Sequence, residues 1–500
     1  MRCSAVLLLS ALVLLPAAES DWFRPLGPPP KATPRRINGG EGVPPLPLPA
    51  TPLRRSERKR QPSPPVLIGK VVWGEAGSFV YDGGEKADIA DWNLCPGDLQ
   101  GVLGKARAAL GEPFTSEPVP LATFHGDPAR TPALFFSGVR SLRLSDAQVA
   151  LLKDYVQRGG MVVFDSVAGS PYFTESAREL AARLLPTSPL RPLAPDHPLF
   201  HLLVDVDKAG YGSKAPSDQP RFEGAWLGSR VAVLLSPVGL GCGWDDREVP
   251  GLPQAVFYDV PTAQRLGVNL IGYIVGNGPV GQAEAKPELF AAADARPAAN
   301  EFVFAQVVHR GHWDVHPGAA ARLLAGLRRD AALNVSLKRV AVEPGKDDLT
   351  PYAALWMDGV EAPAFDDRAR AALRTYLAGP GLLIVNGGLG AEAFVTALRQ
   401  EVAALVPGAS LRPLAPDHPL FACAAHIGAV GYTAAALTAR PGLNAPYLEG
   451  VQAGDALKVV LSPFDLIAGW DGLDRPGAKA WAPEGAVALG GNLVVWASTH

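Results

Sequence analysis

The eleven residues LRPLAPDHPLF at Leu190–Phe200 recur letter for letter at Leu411–Phe421, 221 positions later. A repeat at that distance marks a duplicated domain, far outside the 20 to 50 residue periods of solenoid proteins. The same offset pairs Trp92 with Trp313, Gly138 with Gly359, Tyr155 with Tyr376 and Gly169 with Gly390. Beyond the shared undecapeptide it drifts to 226, aligning Gly243-Trp244-Asp245 with Gly469-Trp470-Asp471. Two homologous domains are expected, at 66–276 and 301–500, joined by an Ala- and Pro-rich linker at 277–300.

Within each copy, short apolar runs alternate with amphipathic segments. In the first, Val66–Trp73, Ala133–Phe136 and Met161–Phe164 read as buried strands. Pro96–Leu110, a segment starting at Ser145, and Thr174–Leu185 read as helices. Ser145 and Gln148 have the spacing of a capping box, and Val149, Leu152, Tyr155 and Val156 form one apolar stripe. The second copy repeats this order, without an insertion of roughly 15 residues that the first carries around Gly74–Asp91. Each copy ends in a strand pair and a closing helix, Pro261–Val275 or Glu484–Trp496. Apolar strands separated by amphipathic helices make an α/β fold, a mostly parallel sheet covered on both faces.

Residues 1–20 carry Arg2, an apolar run and small residues at Ala18 and Ser20, the pattern of an export signal. Residues 21–65 are rich in proline and hold nine Lys or Arg against three Asp or Glu, a composition expected to remain a disordered tether. The whole chain is at −3, so the remainder is acidic. A periplasmic or secreted protein follows, with no membrane-spanning segment in the mature chain, no nucleic-acid partner and no cofactor. Cys95 follows the first strand and Cys242 follows the Leu234-Leu235-Ser236-Pro237 strand, so both belong at the carboxyl edge of the sheet. They pair if their Cα atoms approach within roughly 7 Å.

The second copy resembles the bacterial domain-of-unknown-function family 4159. The likeness rests on FVFAQVVHRGHWDVHPGAAARLL (Phe302–Leu324), LWMDGV (Leu355–Val360), the LAPDHPLF element ending at Phe421, and LEGVQAGDALKVVLSPFDLIAGW (Leu448–Trp470). The first copy is similar more distantly, through WNLCPG, LFFSGV, QRGGMVVFDS and LLSPVGLGCGW. Membership implies a flavodoxin-like sheet akin to class I glutamine amidotransferases, and brings no established activity.

An amidotransferase needs a cysteine on a tight strand-to-helix turn. Phe164–Gly169 and Val385–Gly390 hold none, and Ser166 is matched by Gly387. Asp196-His197 and Asp417-His418, each followed by proline, are candidate acid/base pairs, or else turn elements in which Asp caps and His bonds a carbonyl. His309, His312 and His316 are candidate metal ligands at a spacing that fits no standard zinc motif. Trp92-Asn93, Trp244-Asp245, Trp313-Asp314 and Trp470-Asp471 each set an aromatic ring beside a polar group after a strand, which suits stacking on a sugar or peptide. The leading expectation is a non-catalytic envelope module that binds a protein or glycan. The alternative is a hydrolase of envelope carbohydrate or amide bonds working through the Asp-His-Pro loops. An enzyme of that kind gathers His418, Asp314 and Asp471 around one cleft.

Overall fold

The computed structural model describes residues 64–74, 76–80, 86–212, 219–246, 255–285, 290–291, 297–298, 300–454 and 456–500. The expected export signal, nearly all of the tether and residues 286–289, 292–296 and 299 of the linker lie outside the described residues.

The first copy builds a seven-stranded sheet from β1 (Val66–Val72), β2 (Phe114–Pro120), β3 (Ala133–Gly138), β4 (Met161–Ser166), β5 (Arg191–Pro192), β6 (Glu223–Leu227) and β7 (Arg230–Ser236), in the order β2-β1-β3-β4-β7-β6-β5. The second builds β8 (Ala305–Val307), β9 (Val340–Val342), β10 (Ala354–Gly359), β11 (Leu382–Gly387), β12 (Arg412–Pro413), β13 (Glu449–Ala453) and β14 (Ala456–Ser462), in the order β9-β8-β10-β11-β14-β13-β12. The two orders are the same. Five strands of each sheet are parallel; β6 forms an antiparallel hairpin with β7, as β13 does with β14, and the short edge strand, β5 or β12, pairs antiparallel with β6 or β13.

Strand alternation explains why helices are needed on both faces. Along β3, Ala133 and Phe135 pack with Leu99 and Val102 of α1 (Asp98–Leu110), and with Leu266 and Leu270 of α4 (Val260–Glu284). Leu134 and Phe136 face the other way, onto Leu152 of α2 (Asp146–Gln157) and Ala177 of α3 (Pro171–Leu184). In the second copy α5 (Ala319–Asp330) and α8 (Pro483–Thr499) cover one face, while α6 (Asp367–Ala378) and α7 (Glu392–Leu405) cover the other. The capping box forms: Ser145 Oγ accepts from Gln148 N at 3.3 Å, and Gln148 Oε1 accepts from Ser145 N at 2.9 Å.

Three features depart from the sequence pattern. The edge strands β2 and β9 were not anticipated; β2 is mostly half-buried or exposed and lacks the apolar run that betrays a central strand. The insertion after β1 contains a two-stranded hairpin, Ala76–Val80 with Lys86–Ala90. The closing helix of the first copy continues through Pro279 to Glu284, into the stretch assigned to the linker. Its last turns are held because Val280 and Gly281 are buried, and a Cβ on Gly281 would lie 2.7 Å from Arg230 Nε and 2.9 Å from Gly159 O. Among the described residues no helix is long and apolar enough to cross a membrane.

Candidate functional site

In open α/β sheets ligands bind beyond the carboxyl ends of the strands, where the strand order reverses. That point lies between β1 and β3 in the first copy and between β8 and β10 in the second. The first is filled by its own side chains. Trp73, at the end of β1, donates from Nε1 to Ser137 O at 3.0 Å and packs against Gly138, where a Cβ would lie 2.3 Å from the indole. Asp91 is buried beside it and accepts from the backbone N–H groups of Val139 and Arg140. Below, Lys70 Nζ donates to both oxygens of Asp98 at 2.8 and 2.7 Å, to Asn93 Oδ1 at 3.1 Å and to Cys95 O at 2.9 Å. Burial raises the Asp98 pKa, against the pull of Lys70. Burial also lifts Asp165 to about 7, although its carboxylate accepts from Leu240 N and Gly241 N. Cys95 and Cys242 are joined as a disulfide across this edge, with Cα atoms 5.4 Å apart.

The second copy replaces that disulfide with charge. His316 and Ala468 stand at the positions matching Cys95 and Cys242. The His316 ring lies between two buried carboxylates, Nδ1 2.7 Å from Asp358 Oδ2 and Nε2 2.9 Å from Asp465 Oδ2, the latter too far off line to count as a hydrogen bond. Asn386 Nδ2 ties the carboxylates together, at 2.8 Å from Asp358 Oδ1 and 3.0 Å from Asp465 Oδ1. Burial alone lowers the pKa of His316, but Asp465 and Asp358 outweigh it and hold the ring charged up to about 10. Burial raises Asp358; it works in the same direction on Asp465, where His316 wins and brings the carboxyl to about 2. An imidazolium held charged between two carboxylates has neither a free lone pair for a metal nor a proton to release near neutral pH. His309 and His312 do not join it: His309 Nε2 meets Asp358 O at 2.8 Å and His312 Nε2 meets Gly228 O at 2.6 Å. The three candidate metal ligands therefore diverge, and no group of three His, Cys, Asp or Glu among the described residues is arranged to hold a metal ion.

The two identical undecapeptides share one local job. His197 Nδ1 accepts from Leu199 N at 3.1 Å and His418 Nδ1 from Leu420 N at 3.2 Å, each capping a single 3-10 turn. This corrects the assignment of roles within the turn, because histidine accepts from an N–H and does not bond a carbonyl. Asp196 is no cap either. It reaches into the second domain, accepting from Glu392 N at 3.0 Å and Lys479 Nζ at 3.3 Å. The surroundings of the two histidines then differ. His197 is 6 % exposed, enclosed by Phe200, Trp226 and Tyr273, and burial lowers its pKa to about 3. His418 is half-buried against Trp496, partial burial lowers its pKa, and Asp417 is exposed.

The expected stacking platforms are mostly part of the core. Trp244 and Trp470 are buried, donating from Nε1 to Ala263 O at 2.7 Å and Ala486 O at 3.0 Å, so neither offers a face to a ligand. Asp245 packs against Gly97, where a Cβ would lie 2.0 Å from its Oδ1. Trp92 is half-buried 5.9 Å from Lys70 Nζ, which also engages Asn93. Trp313 is half-buried near Phe290, and Asp314 pairs with Arg339 at 2.7 Å. Asp471 is buried in a two-point contact with Arg475 at 2.6 and 3.0 Å. His418, Asp314 and Asp471 thus have separate partners and do not converge.

What the structure does bring together is the far edge of the first copy and the carboxyl edge of the second. Trp226 of β6 stacks on His312 with centroids 5.7 Å apart. Arg191 of β5 forms an ion pair with Glu361 and donates to Arg310 O at 2.9 Å. Arg475, nearly fully buried, donates to Ser229 Oγ at 2.8 Å and to Glu284 Oε1 at 3.1 Å, so the extended α4 ends on the second domain. Between these contacts a cavity of about 460 Å³ remains over the strand-order reversal of the second sheet, with Arg310, Val360, Glu361 and Leu389 on one side and Leu193, His197 and Trp226 on the other.

Leu389 belongs to the strand-to-helix turn after β11 and has φ 54°; its counterpart after β4, Ala168, has φ 56°. Such a conformation is strained for any side chain other than glycine. Ser166, just before the first turn, is buried and committed, donating to Ser170 O and accepting from Thr174 Oγ1, both at 2.9 Å.

The repeated strand order and the paired turns coincide with one family profile matched twice. The domain of unknown function DUF4159 covers residues 86–275 and 303–497. The chain belongs to this family. No curated protein matches it. In both DUF4159 domains the polar residues of the carboxyl edge come from distant segments: Lys70 with Asp98, and His316 with Asp358 and Asp465. Sequence reasoning singled out His316, as a metal ligand, and missed Lys70, Asp98, Asp358 and Asp465. The usable signal was a carboxylate ending a continuous apolar run, as Asp165 does in MVVFDS and Asp358 in ALWMDG.

Proposed function

We propose that this DUF4159 chain is a non-catalytic binding or scaffolding module of the cell envelope, exported by its first twenty residues and facing a protein or glycan partner. The observation that carries the reading is the pair of strained turns. Each domain has a sharp strand-to-helix turn, where an amidotransferase would carry its cysteine, with a non-glycine residue at positive φ, and the residues there are Ala168 and Leu389, which carry no nucleophile. The neighbouring titratable groups are engaged with one another, and the histidines of both undecapeptides spend Nδ1 on a backbone N–H.

The test uses His418→Gln, because His418 is half-buried and its replacement leaves the domain contact untouched. Purified wild-type chain is incubated with peptidoglycan fragments and envelope oligosaccharides, and products are followed by mass spectrometry. No turnover by the wild type is expected. A wild-type activity that disappears in a folded His418→Gln protein makes the loop a general acid/base site and overturns the reading.

A further inference from the structure

The geometry points to a binding site in the cavity between the two domains for a small amphiphile with an apolar body and one anionic head group, such as a medium-chain carboxylate. Three observations support it independently. The cavity lies over the carboxyl ends of β8, β10 and β11, at the strand-order reversal where open α/β sheets take ligands. In the first copy Asp91 closes over the N–H groups of Val139 and Arg140; in the second His309 takes the place of Trp73, but the residue aligned with Asp91 is His312, which turns to Gly228 O, and the cavity opens beside Val360 and Glu361. The volume of about 460 Å³ falls within the range of small-molecule sites, which favour domain boundaries and apolar walls with few polar groups.

The lining names the chemistry. Leu193, Trp226, Val360, Leu389 and Ala391 provide apolar wall, and Leu389 is held there by the strained turn. The charged lining residues are Arg191, Arg310 and Lys479 against Asp196 and Glu361. Both carboxylates are engaged: Glu361 by Arg191, and Asp196 by Lys479 and Glu392 N. Arg310 differs. Its ion pair with Asp366, at 3.2 Å, has both side chains largely in water, where such a contact contributes little. A guanidinium poised over an apolar crevice recognises a carboxylate in two-point fashion, whereas a cationic head meets a surplus of positive charge. His197, kept neutral by burial, does not alter that balance.

The full-length chain is titrated with sodium decanoate by calorimetry, with decyltrimethylammonium as the cationic comparator. Two variants are run in parallel: Arg310→Glu at the head-group position, and Ala393→Trp, which puts an indole into the cavity from an exposed position on α7. Saturable decanoate binding at one per chain is expected, weaker by about tenfold or more in Arg310→Glu, as loss of a charge-assisted contact implies. Ala393→Trp should weaken it at least as much, and wild type should prefer decanoate over the cation by a similar factor. Circular dichroism checks that each variant is folded. Arg310→Gln, which keeps the shape and removes the charge, replaces either variant that is not. The inference is overturned by an absence of saturable decanoate binding below micelle formation, by equal affinity for the two head groups, or by affinities unchanged in the folded variants.

Discussion

The same substitution in two identical peptides should carry very different costs. His197→Ala and His418→Ala each remove the acceptor for a buried N–H, of Leu199 or Leu420, at about 1–3 kcal/mol. His197→Ala also empties a site walled by Phe200, Trp226 and Tyr273, and truncating a buried ring to alanine costs about 3–5 kcal/mol. Part of this returns, since His197 Nε2 is buried without a hydrogen-bond partner and its removal relieves about 1–2 kcal/mol. The net is about 4 kcal/mol for His197→Ala. For His418→Ala, whose ring is half in water against Trp496, it is about 2 kcal/mol. Urea titrations followed by tryptophan fluorescence and far-UV circular dichroism measure both. Protonation adds a second signature. The folded pKa of His197, about 3, lies below the unfolded value of 6.5, so the unfolded chain binds the extra proton and wild-type stability falls as pH drops from 6.5 toward 3. His197→Ala lacks this dependence, so its deficit against wild type should shrink in acid. Costs that agree within about 0.5 kcal/mol at neutral pH would refute the claim that burial at the domain contact separates the two copies.

The His316 cluster predicts the opposite pH behaviour. With a folded pKa of about 10 against 6.5 unfolded, its stabilisation is complete below 6.5 and is lost as pH rises through 10; His316→Asn should flatten the alkaline limb of the stability profile, and an unchanged limb would show that the ring is not charged. The Cys95–Cys242 bridge closes a separation of 147 residues, so Cys95→Ser should lower unfolding stability by about 2–5 kcal/mol. Thiol labelling in denaturant without reductant should modify Cys423 and leave Cys95 and Cys242 untouched, and labelling of all three would remove the bridge.

The architecture was legible because it rests on local periodicity. β3 and β4 are continuous apolar runs, and α2 announces itself through Ser145, Gln148 and its apolar stripe. β2 was illegible because an edge strand alternates weakly, and Pro279 masked the five residues of α4 beyond it because proline ordinarily ends a helix while here tertiary packing holds it. The candidate site was harder for a different reason. Trp244 and Trp470 follow strands as a ligand platform would, yet the same position suits a core residue, and only burial distinguishes the two. Asp196 and Asp417 cannot be told apart in sequence at all, since their neighbours are identical and the difference lies in what the other domain places against them.

The contact between the two halves has a consequence for symmetry. Arg191, Asp196 and Trp226 of the first half meet a different surface of the second, formed by Glu361, Glu392 and Lys479, so no twofold axis relates the domains. Contacts of this kind are open-ended in principle. Here the next step is blocked at both ends: Gln452 replaces Trp226 on the second half, while on the first half Arg140 replaces Glu361 and Pro171, with no N–H to give, replaces Glu392. A partner with twofold symmetry cannot engage the two halves alike. The duplication therefore makes a molecule with a direction, whose interdomain crevice occurs once per chain.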